Sequence, residues 1–250
     1  MSTYRIENCA GSAESARRAE LGGAYRVELC AGLPEGGTTP SYGEILTARR
    51  AISIKLNVII RPRSGDFLYT PIEVEAMLAD IRMARELGAD GIVVGCLTAD
   101  GAVDKPLLRR FVEAAEGLPV TFHRAIDVCQ DRAQALEDII EAGCARVLTS
   151  GGAASAPEGA DAIAALVKQA ADRIIIMPGA GVTPENVADL ARKTGAREFH
   201  FSGRTAEPSP MRYRHEGVSM GGTVTIDEYA YLFTDPKKIR QAVEALQALE

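Results

Sequence analysis

Leu87-Gly88-Ala89-Asp90-Gly91-Ile92-Val93 ends a helix on glycine and enters a strand within three residues. Glycine closes a helix because the left-handed conformation costs it nothing. The same phrase recurs as Leu21-Gly22-Gly23-Ala24-Tyr25-Arg26-Val27-Glu28, as Ala142-Gly143-Cys144-Ala145-Arg146-Val147-Leu148 and as Thr194-Gly195-Ala196-Arg197-Glu198-Phe199-His200. Strand-like runs lie between them at Lys55 to Arg61, Pro119 to His123 and Arg173 to Met177, and Tyr4 to Cys9 supplies an opening strand. Eight strands in four βαβα units imply a parallel sheet joined by right-handed helical crossovers. That regularity favours closure into a barrel.

The helix starts agree. Thr70-Pro71-Ile72-Glu73 joins a capping Thr, a first-turn Pro and a Glu three residues after the cap. Ser41 with Glu44 and Asp131 with Gln134 repeat the capping box, and Thr183-Pro184 and Asp235-Pro236 supply a cap followed by Pro. The 250 residues therefore read as one α/β domain, residues 1–250, a (β/α)8 TIM barrel. Strands are expected to begin near 4, 25, 55, 90, 119, 145, 173 and 197, with the last helix starting near Asp235. Gly203 to Thr234, rich in Gly, Ser, Pro and Arg, reads as a long loop after strand 8, expected to lie over the barrel mouth.

Side chains in a strand alternate between the barrel interior and the helix layer. If Val27, Leu29, Leu56, Val58, Ile60, Val120, Phe122, Phe199 and Phe201 face the helices, then Glu28, Cys30, Asn57, Ile59, Arg61, Thr121, His123, Glu198, His200 and Ser202 face inward. Strand 1 places Glu7 and Cys9 inward in the same way, and strand 6 Arg146 and Ser150. Strands 4 and 7 are apolar on both faces and permit no assignment. Barrel interiors are ordinarily packed with branched apolar residues. Buried carboxylates need partners, so Glu7, Glu28 and Glu198 are expected to pair with Arg61, Arg146 or a neighbouring His.

A net charge of −6 argues against nucleic acid or an anionic membrane as the partner. No apolar run has the length of a membrane span and no secretory signal is visible, so the cytoplasm is the expected compartment. Five cysteines without CxxC spacing do not form a disulfide framework.

Several collinear stretches together resemble one family. They are Val27-Glu28-Leu29-Cys30 leading to Glu35-Gly36-Gly37-Thr38-Thr39-Pro40-Ser41, Ile60-Arg61-Pro62-Arg63-Ser64-Gly65-Asp66, Thr121-Phe122-His123-Arg124-Ala125-Ile126-Asp127, Leu148-Thr149-Ser150-Gly151, Met177-Pro178-Gly179-Ala180-Gly181 and Glu198-Phe199-His200-Phe201-Ser202. The sequence resembles the copper homeostasis protein CutC family from strand 1 to strand 8. That resemblance implies a (β/α)8 barrel, a cytosolic location, self-association as a homo-oligomer and a role in copper handling. Ser64, where Gly is expected, and Gly203-Arg204, where a small residue is expected before the Arg, depart from the pattern.

Two chemistries compete at the mouth. Cys9 and Cys30 each end an inward Glu-x-Cys, on strands about 4.8 Å apart. Two soft thiolates at that spacing suit one Cu(I) ion. The rival is an enzyme acting on a small anionic metabolite, phosphorylated or carboxylate. Its anion would be held by Arg61, Arg63, Arg124, Gly179, Gly181, Ser202 and Arg204, with His123 or His200 as general acid or base and Glu7 or Asp127 orienting it. A scaffold with an inert barrel leaves the polar mouth unexplained.

Overall fold

Six of the eight helices start where a capping side chain, Ser12, Ser41, Thr70, Asp104, Asp131 or Asp235, accepts from a first-turn N–H. The computed structural model describes residues 3–215, 217–221 and 226–250. Eight parallel strands succeed one another: β1 (Arg5–Ala10), β2 (Arg26–Leu29), β3 (Lys55–Ile59), β4 (Gly91–Val94), β5 (Val120–Phe122), β6 (Arg146–Thr149), β7 (Ile175–Pro178) and β8 (Glu198–Phe201). Each β-strand neighbours the next in sequence, and β8 returns to pair with β1. The seam between β7 and β8 closes through packing: a Cβ on Gly179 would lie 3.2 Å from His200 Cβ. Every expected strand start lies within two residues of the observed one.

Helices α1 (Ala13–Leu21), α2 (Tyr42–Ala51), α3 (Pro71–Glu86), α4 (Lys105–Ala114), α5 (Arg132–Glu141), α6 (Ala160–Ala170), α7 (Val187–Thr194) and α8 (Pro236–Gln247) surround the sheet. The main apolar core lies between the sheet's outer face and these helices, where Leu56, Ile92, Phe111, Phe122 and Phe199 are fully buried.

Of the three capping boxes read from the sequence, only that of α3 is reciprocal: Thr70 Oγ1 accepts from Glu73 N and Glu73 returns a carboxylate oxygen to Thr70 N at 2.7 Å. Glu44 turns away to Ala13 N, and Gln134 donates to Asp138 instead. The start at Thr183-Pro184 comes too early, because Asn186 Oδ1 accepts from Thr183 N in a turn and α7 begins at Val187. Thr70→Ala should cost about 1 kcal/mol, the usual worth of an N-cap, read as a lowered urea midpoint with an unchanged slope.

The segment after β8 differs from a plain loop. It contains an antiparallel ribbon, β9 (Arg204–Pro208) and β10 (Ala230–Thr234). The ribbon starts at the mouth with Arg204 and runs beside α1: Arg18 pairs with Glu207 and stacks on Phe233, and Thr234 N donates to Ser15 Oγ. The buried Thr234 and the half-buried Phe233 hold it against α1. The stretch joining the two strands includes residues 216 and 222–225, which lie outside the described residues.

Candidate functional site

The barrel interior is filled in two tiers. In the lower tier Arg26 pairs with Glu7 and donates to Glu198 at 2.7 Å, and Arg146 meets Glu198 at 2.6 Å. Asn57 adds a long contact to Glu7 at 3.4 Å, and Arg146 reaches Thr121 Oγ1 at 3.2 Å. Two carboxylates and two guanidiniums therefore neutralise one another where water is excluded. Burial opposes ionisation of Glu7, but Arg26, His200 and Arg146 overcome it and hold the carboxyl far below its usual range.

Arg26 is the residue that the sequence reading passed over. It shares the parity of Glu28 and Cys30, so the signal was present two residues upstream. It stands at the first position of β2, where a basic side chain ordinarily reaches solvent. The expected partner Arg61 is elsewhere: its Nη atoms donate to the carbonyls of Glu35, Gly37 and Gly65, at 3.1, 2.9 and 2.9 Å. Arg61 is the last inward position of β3's line, above the carboxylates, and it pins the loops of the mouth together.

The upper tier opens into a cavity of about 400 Å³ at the carboxyl ends of the strands. Cys9, Glu28, Cys30 and His200 line its floor, and Arg61 and His123 line a wall. Cys9 Sγ and Cys30 Sγ are 3.9 Å apart because Cys9 stands level with Glu28 in the β1–β2 register and Cys30 follows two residues later. Glu28 Oε2 lies 3.4 Å from Cys30 Sγ, and one ligand atom from each of Cys9, Glu28 and Cys30 falls within 4.8 Å of the others.

His200 bridges the tiers, with Nδ1 2.8 Å from Glu7 Oε1 and Nε2 3.6 Å from Glu28 Oε2. Burial disfavours its charge, but Glu28, Cys9 and Glu7 raise its pKa well above the ordinary value. Burial pushes Glu28 up to about 8, with Cys9 and Glu7 adding to the rise against the opposing pull of His200. The hydrogen bond from Cys30, helped by His200, brings Cys9 well below the usual thiol range, and the same bond raises Cys30. The short Cys9–Cys30 contact and the nearby His200 therefore favour deprotonation at one end of the pair over the other.

The remaining candidates divide cleanly. Arg124, Gly181, Ser202 and Arg204 line the cavity with Arg61 and His123. Arg63 does not; it is spent on Glu73 and Asp66 and on the carbonyls of Ser64 and Leu68. Gly179 packs under Leu148 and His200, where a Cβ would come within 2.5 Å of Leu148 Cδ1. Asp127 orients no histidine through a hydrogen bond. It accepts from Thr149 Oγ1, Ser150 N and Gly152 N and pairs with Arg124, latching the loop after β6. Glu7 does orient His200. Cys96, Cys129 and Cys144 are buried in the apolar core, away from the thiol pair.

Comparison with known proteins agrees with this architecture. The CutC family model matches residues 4–205. The chain is 55% identical over 249 residues to a CutC family protein of Bacteroides thetaiotaomicron, covering 99% of this chain and 100% of that protein. It is 47% identical over 237 residues to the human copper homeostasis protein cutC homolog, covering 95% of this chain and 87% of the relative. A crystal structure of a copper homeostasis protein CutC from Streptococcus agalactiae superposes with a TM-score of 0.77 at 36% identity, over 80% of this chain and 98% of that one. Thiamine phosphate pyrophosphorylase from Pyrococcus furiosus, at 12% identity and a TM-score of 0.62, shares the fold alone. With the family pattern running from β1 to β9, this chain belongs to the CutC family.

Proposed function

We propose that the protein takes up Cu(I) as cargo through Cys9 Sγ and Cys30 Sγ, at the floor of the cavity. The observation that carries this reading is the 3.9 Å separation of two thiols that both face the cavity. Soft sulfur ligands select Cu(I) over the harder divalent ions, and the lowered pKa of Cys9 eases the loss of the first proton on binding. Glu28 is a hard oxygen donor held largely protonated near neutral pH, so it contributes little to binding a soft ion. The copper role in the names of the relatives supports the same reading. No helix among the described residues is long and apolar enough to cross a membrane, and we place the protein in the cytoplasm, where the thiols stay reduced. Self-association is part of the proposal; a sedimentation mass of one chain would remove it.

The test is a titration of reduced protein with Cu(I) against a competing chromophoric chelator, repeated across pH 6 to 8. Cys30 enters the ion's coordination only by losing a proton that its neighbours hold tightly. Metal binding must therefore release that proton, and apparent affinity should rise by about tenfold per pH unit. A flat profile, or binding weaker than to a single free thiol, would refute the thiol pair.

A further inference from the structure

Above the thiol pair, the cavity wall contains two buried donors with nothing to donate to. His123 is 5% exposed and Arg61 is 6% exposed, and both line the cavity. His123 Nδ1 accepts from Ala125 N at 3.2 Å, so the ring carries its proton on Nε2, and Nε2 has no partner among the described residues. Burial and the nearby Arg61 push this imidazole down to about 3, so it remains neutral and the Nε2–H stays a donor. Arg61 uses both Nη atoms on loop carbonyls, yet its Nε is buried and unpartnered. The two groups flank one ring: Phe67 lies 4.9 Å from the His123 ring and 5.2 Å from Arg61 Cζ. The sequence reserves this place, since a side chain on Gly95 would come within 2.2 Å of His123 Cε1.

A buried N–H without an acceptor costs about 1–3 kcal/mol, so two beside the same Phe67 ring, on residues that line one cavity, point to an oxygen that arrives from outside. Charge around the same cavity favours an anion. Arg204 lines it and makes no side-chain hydrogen bond or ion pair with a described residue. Ala180 and Gly181, with φ of 71° and 72°, turn the backbone after β7 along the opposite rim, where neither N–H is engaged by a described residue. Left-handed backbone is uncommon for alanine, and turns with free N–H groups hold anions.

We propose that the cavity binds a small organic anion, a carboxylate or a phosphate ester, whose oxygens accept from His123 Nε2–H and Arg61 Nε–H and whose charge is met by Arg204. The site shares the cavity with the thiol pair, and the Arg204 charge also acts on Cys9, but it uses no atom of the thiols, so metal-free protein tests it apart from the copper reading. Metal-free, reduced protein with a Cu(I) chelator present is titrated calorimetrically with malonate in one arm and methyl phosphate in the other. Saturable one-to-one binding in either arm is expected, and the stronger arm names the ligand class. His123→Asn keeps an oxygen to accept from Ala125 N but removes the Nε2–H, and Arg204→Gln removes the charge. Each should weaken the stronger arm by about tenfold or more, the worth of a charge-assisted hydrogen bond. The His123→Asn protein must retain the parent's circular dichroism, and Arg204→Gln, on a half-buried side chain, provides an independent reading if it does not. No saturable binding in either arm would assign the two donors to solvent, and unchanged affinity in both variants would place the anion elsewhere; either result overturns the site.

Discussion

Replacing Cys9 and Cys30 together with Ser should abolish stoichiometric Cu(I) binding while the thermal midpoint shifts by only a few degrees. Serine keeps the shape of each side chain, and its hydroxyl can hydrogen-bond as the thiol does, but oxygen is a poor ligand for a soft ion. Each single variant leaves one sulfur. Cys9→Ser and Cys30→Ser should therefore each weaken binding without the full loss of the double variant. Chelator competition on all three variants measures the order. A double variant that titrates like the parent would show that copper, if bound at all, is bound elsewhere.

Arg26→Met should destabilise the fold by about 3–5 kcal/mol at neutral pH, because removing one partner of a buried pair leaves uncompensated charge. Arg26 serves two carboxylates, and Arg146 contacts only Glu198. Glu7 would be left with His200 and the long contact from Asn57. The pH dependence follows from the direction of the shifts. Glu7 and Glu198 are held below their ordinary values, so their contribution is present above the unfolded carboxylate pKa of about 4.3 and is lost as pH falls below it. Parent and variant should therefore converge in stability toward acid. Urea unfolding at pH 7 and at about pH 3, well inside the window between the unfolded and folded carboxylate values, checks this, and a gap of the same size at both would mean the loss comes from packing rather than charge.

The lower tier shows how a polar interior is compatible with a barrel core. Each carboxylate sits across a strand boundary from its guanidinium: Glu7 stands level with Arg26 in the β1–β2 register, and Glu198 on β8 is reached from both β2 and β6. Such a network needs all its members, because removing one leaves a buried charge unpaired. His200 is fixed from below by Glu7 and faces Cys9 and Glu28 from the side. A change in the ion-pair tier should reach the thiols through this one ring.

Local and periodic features were legible in the sequence by itself. Gly closing a helix before each of four strands, caps at Thr70 and Asp235, and the two-residue alternation in β1, β2, β3, β5 and β8 act over a few residues and report the fold directly. They placed eight strands, the inward carboxylates and the Cys9–Cys30 juxtaposition, because strand parity and parallel register are geometric consequences of the backbone. Partner choice belonged to the tertiary structure. Whether Glu7 meets Arg26 or Arg61 depends on height within the barrel, and which capping boxes close depends on what lies nearby, as Glu44 shows by turning to Ala13 N. The course of the ribbon after β8 was decided by the buried Thr234 and by the stacking of Arg18 on Phe233, contacts across more than two hundred residues of chain that no local pattern encodes. The orphaned Nε atoms of the mouth were equally invisible, since a donor is left unpaired only by the sum of everything packed around it.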